Sequence, residues 1–250
     1  MKNTDFHAPF LQKVSLDPPL EVQTSYPFTI PIFSQKFAIE LSKPVTFLVG
    51  ENGTGKSTLL EAIAKKTGFN LSGGSQNHVF TDAQSDSPIA AHLRLSWFPK
   101  ISTGFFMRAE SFFNFASYIE QLSQDDAGIL EAYGGKSLHS QSHGESFLAL
   151  FKNRFWKQGI YLLDEPEAAL SPMRQLSFLA LINKFEKNGK VQFIIATHSP
   201  ILLSYPGAEI LSFDGKSIKA IDYTETEHFK LTKAFLDSPE RYFKHLFSDE

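Results

Sequence analysis

Cysteine is absent from the 250 residues, which excludes disulfides, thiolate zinc sites and cysteine nucleophiles and suits a reducing compartment. No apolar run approaches the roughly 20 residues needed to cross a bilayer. The opening Met1-Lys2-Asn3-Thr4-Asp5-Phe6-His7 has no continuous apolar segment of the secretory kind. A cytoplasmic protein without membrane insertion is therefore expected. Neither sign of charge dominates, with 24 Lys and Arg against 27 Asp and Glu and a net charge of −3. No global basic field draws in nucleic acid, although a local patch remains open. Tryptophan (2) and methionine (3) are scarce, whereas phenylalanine is abundant at 25 residues. With 42% apolar and 20% charged residues the chain reads as globular, and its length fits one large α/β domain or a core with a modest lobe.

Residues 1–44 break short apolar stretches with Pro9, Pro18, Pro19, Pro27, Pro31 and Pro44, a pattern of short, mostly antiparallel strands and turns. Val45 to Val49 is a β-rich apolar run. A helix from Lys56 to Thr67 follows and is stopped by Gly68. Residues 70–104 are rich in Gly, Ser and Asn, with short strands expected near 78–81 and 93–98. Helical spacing runs through 110–133, where Phe112, Phe115, Ile119 and Leu122 share a face. Further helices are predicted over 145–157, striped by Phe147, Phe151 and Phe155, and over 172–187. Ile160–Leu163 and Val191–Ala196 read as buried strands. Ser238-Pro239-Glu240 opens a terminal helix with a serine cap, proline at the first position and an acid in the first turn. Strand–loop–helix units of this kind predict an α/β fold with a mostly parallel central sheet.

Gly50-Glu51-Asn52-Gly53-Thr54-Gly55-Lys56-Ser57 matches the eight-residue phosphate-loop pattern between a buried strand and a helix. Its glycines let backbone N–H groups converge on phosphate oxygens, and the helix N-terminus adds positive potential. Lys56 would reach the β- and γ-phosphates and Ser57 would ligate Mg²⁺, with Thr58 next in the same turn. The strand Ile160–Leu163 ends in Asp164 and Glu165. Asp164 suits Mg²⁺ beside Ser57, and Glu165 suits a general base acting on water. A third strand leads into Thr197-His198-Ser199-Pro200, which places His198 at the carboxyl edge, where ligands bind in open α/β sheets, to donate to the γ-phosphate. The other seven histidines, His228 included, show no metal-ligand spacing and are assigned to surface or core.

These three motifs, in this order, resemble the ATP-binding-cassette (ABC) class of P-loop ATPases. Asp164-Glu165-Pro166-Glu167-Ala168-Ala169-Leu170-Ser171-Pro172 and Ala196-Thr197-His198-Ser199-Pro200 look like its stand-alone members, often labelled AAA family ATPases. The class has a signature segment opening a helix before the Asp-Glu strand. Leu71-Ser72-Gly73-Gly74-Ser75-Gln76 has the closer wording but follows the phosphate loop too soon and precedes no helix. Gln141-Ser142-His143-Gly144-Glu145-Ser146 fits better: Ser142 and Gly144 match, while His143 and Glu145 depart from the family's Gly and Gln. The resemblance implies that Ser142, Gly144 and Glu145 close over ATP held by a second copy, in a head-to-tail homodimer. Glu167 to Leu170 stand where the family's D-loop crosses that interface.

The same resemblance implies a nucleotide-binding core over 1–104 and 158–223, a helical signature lobe over 105–157 and C-terminal helices over 224–250. An adenine-stacking aromatic among Tyr26, Phe28 and Phe33, and a Mg²⁺-contacting glutamine at Gln76 or Gln84, stay open. Arg108 and Glu110 are candidates for interface or phosphate contacts, or for an internal ion pair. No long coiled coil fits between phosphate loop and signature. The implied activity is Mg²⁺-dependent ATP hydrolysis that switches an unidentified protein partner. The alternatives are an ATP-dependent module in DNA repair or defence, the nucleotide-binding subunit of a transporter, and a small-molecule kinase.

Overall fold

Burial along the strands separates two kinds of sheet. In the computed structural model, which describes residues 6–18, 24–71, 87–125, 135, 137, 143–154 and 158–247, strand β1 (Leu11–Leu16) alternates between buried and more exposed positions. It pairs antiparallel with β2 (Phe37–Glu40) and β4 (Leu93–Trp97) in a three-stranded sheet. Strands β3 (Val45–Val49), β6 (Gly159–Asp164) and β7 (Val191–Ala196) are buried at every position, as expected of parallel strands covered on both faces. With β5 (Gly104–Arg108), β8 (Glu209–Ser212) and β9 (Lys219–Ala220) they form a second sheet in the order β5-β6-β7-β3-β8-β9. Its first five strands are parallel and β9 is an antiparallel edge. The anticipated α/β fold with an N-terminal antiparallel region is present.

The two faces of the central sheet feed two cores, because successive side chains of a strand point opposite ways. Val45, Phe47, Tyr161, Leu163, Phe193 and Ile195 join one core. Leu48, Ile160, Leu162 and Ile194 join the other, with the helix α1 (Lys56–Thr67) and the antiparallel sheet. On the first face lie α3 (Phe112–Asp125), which follows the short α2 (Pro88–His92), α4 (His143–Arg154) and α5 (Pro172–Lys187). Phenylalanines tie these helices together. Phe147 stacks on Phe151 with centroids 4.7 Å apart, Phe151 meets Phe178 edge-on at 4.8 Å, and Phe112 meets Phe147 at 5.4 Å. The aromatic abundance is therefore spent partly on joining α3 and α4 to α5, which is also ordinary core filling.

Several elements differ from expectation. Residues 104–108, assigned in part to the helical lobe, form edge strand β5, since their apolar run lacks helical period and pairs with β6. The helix predicted over 110–133 begins as a 3-10 turn at Ala109–Ser111 and continues as α3. Short α2 and α6 (Pro200–Leu203) carry weak local signals, whereas α7 (Glu227–Asp237) lies within the span 224–250 assigned to C-terminal helices. Terminal helix α8 (Pro239–Leu246) has the expected proline and acid, but the Ser238 side chain makes no capping bond because this one residue also ends α7. The strand expected near 78–81, together with Gln76, Gln84, Ser142 and Phe155, lies outside the described residues.

One side chain fastens the two sheets. Gln192 on β7 is completely buried. Its Oε1 accepts from the amides of Phe10 and Leu11, both at 2.9 Å, and its Nε2 donates to Leu11 O at 2.8 Å. Replacing Gln192 by leucine leaves three buried backbone groups without partners. A stability loss of about 2–4 kcal/mol is expected, at roughly 1–3 kcal/mol for each unsatisfied group before relaxation, and urea denaturation measures it. An unchanged midpoint would show that water replaces the amide.

Candidate functional site

The carboxyl ends of the parallel strands bring the predicted motifs together. Register places Arg108 beside Asp164, Asp164 beside Ala196, Ala196 beside Leu48, and Val49 beside Ser212. The phosphate loop leaves β3 in the middle of this edge. Gly53 and Gly55 adopt φ of 80° and 101°, which glycine tolerates without strain. Gly55 is additionally required by packing, since a Cβ there would lie 2.6 Å from the Phe33 ring. Asp214, just past β8, holds the loop's entrance: its Oδ1 accepts from Glu51 N at 2.9 Å, and its Oδ2 accepts from Ser212 Oγ at 3.1 Å. Asp214 was not anticipated, because nothing local marks an acid after a short strand.

Lys56 is buried, and its Nζ donates to Gly50 O at 2.5 Å and Glu51 O at 2.9 Å. Burial pulls its ammonium below the ordinary lysine value, against the opposing carboxylates of Glu165, Asp214, Asp164 and Glu51. Ser57 Oγ donates to Asp164 Oδ1 at 2.9 Å. The other oxygen of Asp164 accepts from Arg108 Nε at 2.9 Å, and Arg108 Nη2 bonds Glu61 of α1. Burial works against the Arg108 charge, but Asp164 and Glu61 outweigh it and raise its affinity for the proton. Of the roles open to Arg108, the internal ion pair is the one observed. Thr58 is half-buried in the first turn of α1.

Among the described residues no three His, Cys, Asp or Glu side chains cluster as metal ligands. Mg²⁺ does not need such a cage, because it is held by one or two protein oxygens, water and substrate phosphates. Ser57 Oγ and Asp164 Oδ1 are hard oxygen donors already side by side, and the cleft they border also includes Arg108, Ala109, Glu110, Glu165 and Ala168. The donor set fits the ion.

Glu165 has φ 51° and ψ 51°, the left-handed region, and no other non-glycine described residue has positive φ. That conformation costs roughly 1–2 kcal/mol, and the Glu165 Oε1 lies 3.7 Å from His198 Nε2. Glu167 accepts from the His198 amide at 2.6 Å and so holds the Thr-His loop. Burial raises the Glu167 pKa despite that bond. His198 Nδ1 lies 2.7 Å from Nε2 of half-buried His228 on α7, a contact that no sequence pattern marks. Burial, then the charges of Lys56 and His228, lower the His198 pKa and keep its ring neutral near pH 7.

The remaining candidates sit elsewhere. Gly144 is buried at the start of α4, where a Cβ would lie 2.6 Å from Arg174 Cδ and 3.1 Å from Ala169 O. Glu145 pairs with Arg174 at 3.0 Å. Both thus pack the signature helix onto the turn after Glu165 and onto α5. Phe28 and Phe33 are sealed in the core, whereas Tyr26 is 72% exposed, so only Tyr26 of the three offers a free ring face.

A family model described as an AAA domain matches residues 28–89. A second, described as "AAA domain, putative AbiEii toxin, Type IV TA system", matches 137–204. The first spans the phosphate loop; the second spans the Asp-Glu and Thr-His strands. The fold matches that of cbiO1 from Clostridium perfringens, part of the ABC transporter complex cbiONQ, with TM-score 0.55 and 15% identity over 96% of this chain and 100% of that one. The chain has the fold of an ABC transporter ATPase. Thiamine import ATP-binding protein ThiQ of Histophilus somni (strain 129Pt) is 28% identical over 186 residues, 68% of this chain and 84% of the relative. Among the described residues no helix is long and apolar enough to cross a membrane.

The strain at Glu165 is testable apart from any activity. Glu165→Gly and Glu165→Ala both delete the carboxylate, but only glycine relaxes the backbone. The glycine variant should be the more stable by about 1 kcal/mol in denaturant; equal midpoints would show that the left-handed turn carries no strain.

Proposed function

We propose that the chain hydrolyses ATP to ADP and phosphate, with Mg²⁺ held by Ser57 and Asp164 and water activated by Glu165. The observation that carries this is the 2.9 Å Ser57–Asp164 contact with Glu165 turned one residue later toward His198. The phosphate-loop amides and Lys56 bind the β- and γ-phosphates. Mg²⁺, when bound, supplies charge neutralisation on those phosphates. Glu165 accepts a proton as the water oxygen bonds to the γ-phosphorus. The bond from phosphorus to the bridging oxygen breaks, and its electron pair leaves with ADP. His198 Nε2 steadies the γ-phosphate, while positioning and electrostatics contribute most of the rate.

The proposal extends to a head-to-tail homodimer in which Ser142, Gly144 and Glu145 of one copy close over ATP held by the other, switching a protein partner in the cytoplasm. The Arg174 and Ala169 packing around Gly144 and Glu145 supports it, because it links the signature helix to the turn that begins at Glu165. A second reading, the nucleotide-binding subunit of a transporter, is favoured by the similarity to a thiamine import ATP-binding protein. A third, ATP-dependent action in defence, is favoured by the description of the model matching 137–204.

Glu165→Gln should keep ATP binding, lower phosphate release by on the order of 100-fold or more, and accumulate a dimer on size exclusion with ATP. Unchanged release would remove Glu165 as the base. Lys56→Ala should abolish nucleotide binding, measured with a fluorescent ATP analogue. Metal chelation should stop phosphate release by the unaltered chain; release that persists in chelator would remove Mg²⁺ from the reaction.

A further inference from the structure

We propose that His228 is a positioning residue of the ATPase site: its Nε2–H donates to His198 Nδ1 and fixes the tautomer in which His198 presents an N–H at Nε2. The contact is short, 2.7 Å, with ring centroids 4.9 Å apart and planes at 58°. One of the two nitrogens must carry a hydrogen and the other a lone pair. If His198 donated, its neutral ring would turn a lone pair toward the Glu165 carboxylate at 3.7 Å. Neutral His228 would then carry its proton on Nδ1, which is buried and finds no hydrogen-bond partner among the described residues. A buried orphan N–H is among the rarest of unsatisfied groups.

If His228 donates, the lone pair no longer faces the carboxylate, and the buried N–H is the one that a negative charge faces. His228 Nδ1 is then a lone pair, and His198 Nε2, buried to the same degree and likewise without a hydrogen-bond partner among the described residues, becomes an N–H that faces Glu165 at 3.7 Å and supplies the donor that the proposed function assigns to the γ-phosphate. The lowered proton affinity of His198 agrees with a neutral ring. His228 itself is well anchored. It sits in the first turn of α7, whose N-cap Thr226 is buried and accepts from Phe229 N at 3.3 Å while donating to Tyr223 O at 2.8 Å. Tyr223, which packs against the first of the two cores, meets Phe229 with ring centroids 4.6 Å apart and planes tilted by 55°. The C-terminal segment thereby sets the hydrogen-bonding sense of a group at the nucleotide edge. An orienting partner of this kind governs which tautomer a histidine presents.

This inference rests on the role assigned to His198 above, and the test separates the two. In the full chain, His228→Phe should lower kcat by on the order of tenfold while KM and fluorescent-ATP affinity stay within about twofold. His228→Gln, whose amide nitrogen can donate from a similar place, should restore most of the rate. Nitrogen-15 spectra of labelled histidines, with His198 assigned from His198→Ala, should show the Nε2–H tautomer in the unaltered chain and its loss in His228→Phe. An Nδ1–H tautomer in the unaltered chain, full kcat in His228→Phe, or no rescue by glutamine overturns the positioning role. If His198→Ala retains full rate while the tautomer is as expected, the catalytic reading of His198 fails instead, and the positioning role falls with it.

Discussion

The carboxylate of Asp164 is the point on which the site is built. One oxygen takes the Ser57 hydroxyl at the start of α1, and the other takes Arg108 at the end of β5. Arg108 extends the chain of contacts back to Glu61 on α1. A single buried anion therefore ties the helix that follows the phosphate loop to two neighbouring strands. Buried charges persist only when they are paired and hydrogen-bonded, and Asp164 has both kinds of partner. Moving any of the three elements would strand the charge, so the edge of the sheet holds one geometry.

A second layer of control lies one residue on. Glu165 follows Asp164 directly, with its backbone in the left-handed region and its carboxylate near His198. Around it, Glu167 holds the His198 amide and His228 meets the His198 ring. The strand tips supply the groups, and the segments behind them decide which way each group faces. Such division of labour is common where a site needs fixed orientation and the reacting atoms need room.

What was legible in the sequence follows chain separation. The phosphate loop, the Asp-Glu pair and the Thr-His-Ser segment are each contiguous, so local pattern alone found them and the helices and strands beside them. The parallel sheet was legible because mostly apolar runs ended in polar motifs. Hidden instead were contacts between distant positions: Gln192 with Phe10 and Leu11 at the far end of the sequence, Asp214 at the entrance of the loop, and His228 thirty positions from His198. Nothing in a lone histidine on a helix announces its neighbour. The apolar run at 104–108 was placed with the helices for a similar reason, since an edge strand declares itself only through its pairing.

Strand order gives the site a history as well as a shape. The phosphate loop hangs from β3, whose two hydrogen-bonded neighbours are β7 and β8, made from residues 191–196 and 209–212. Asp214, which accepts from the Glu51 amide at the loop's entrance, comes later still, and His228 later again. During synthesis the nucleotide loop is thus made early and left without lateral support until most of the chain has left the ribosome. Pairings between such distant segments carry a large loop-closure cost and form slowly. The motif is thus written early in the chain, but the sheet edge that holds it is complete only when residues 191–214 have been made.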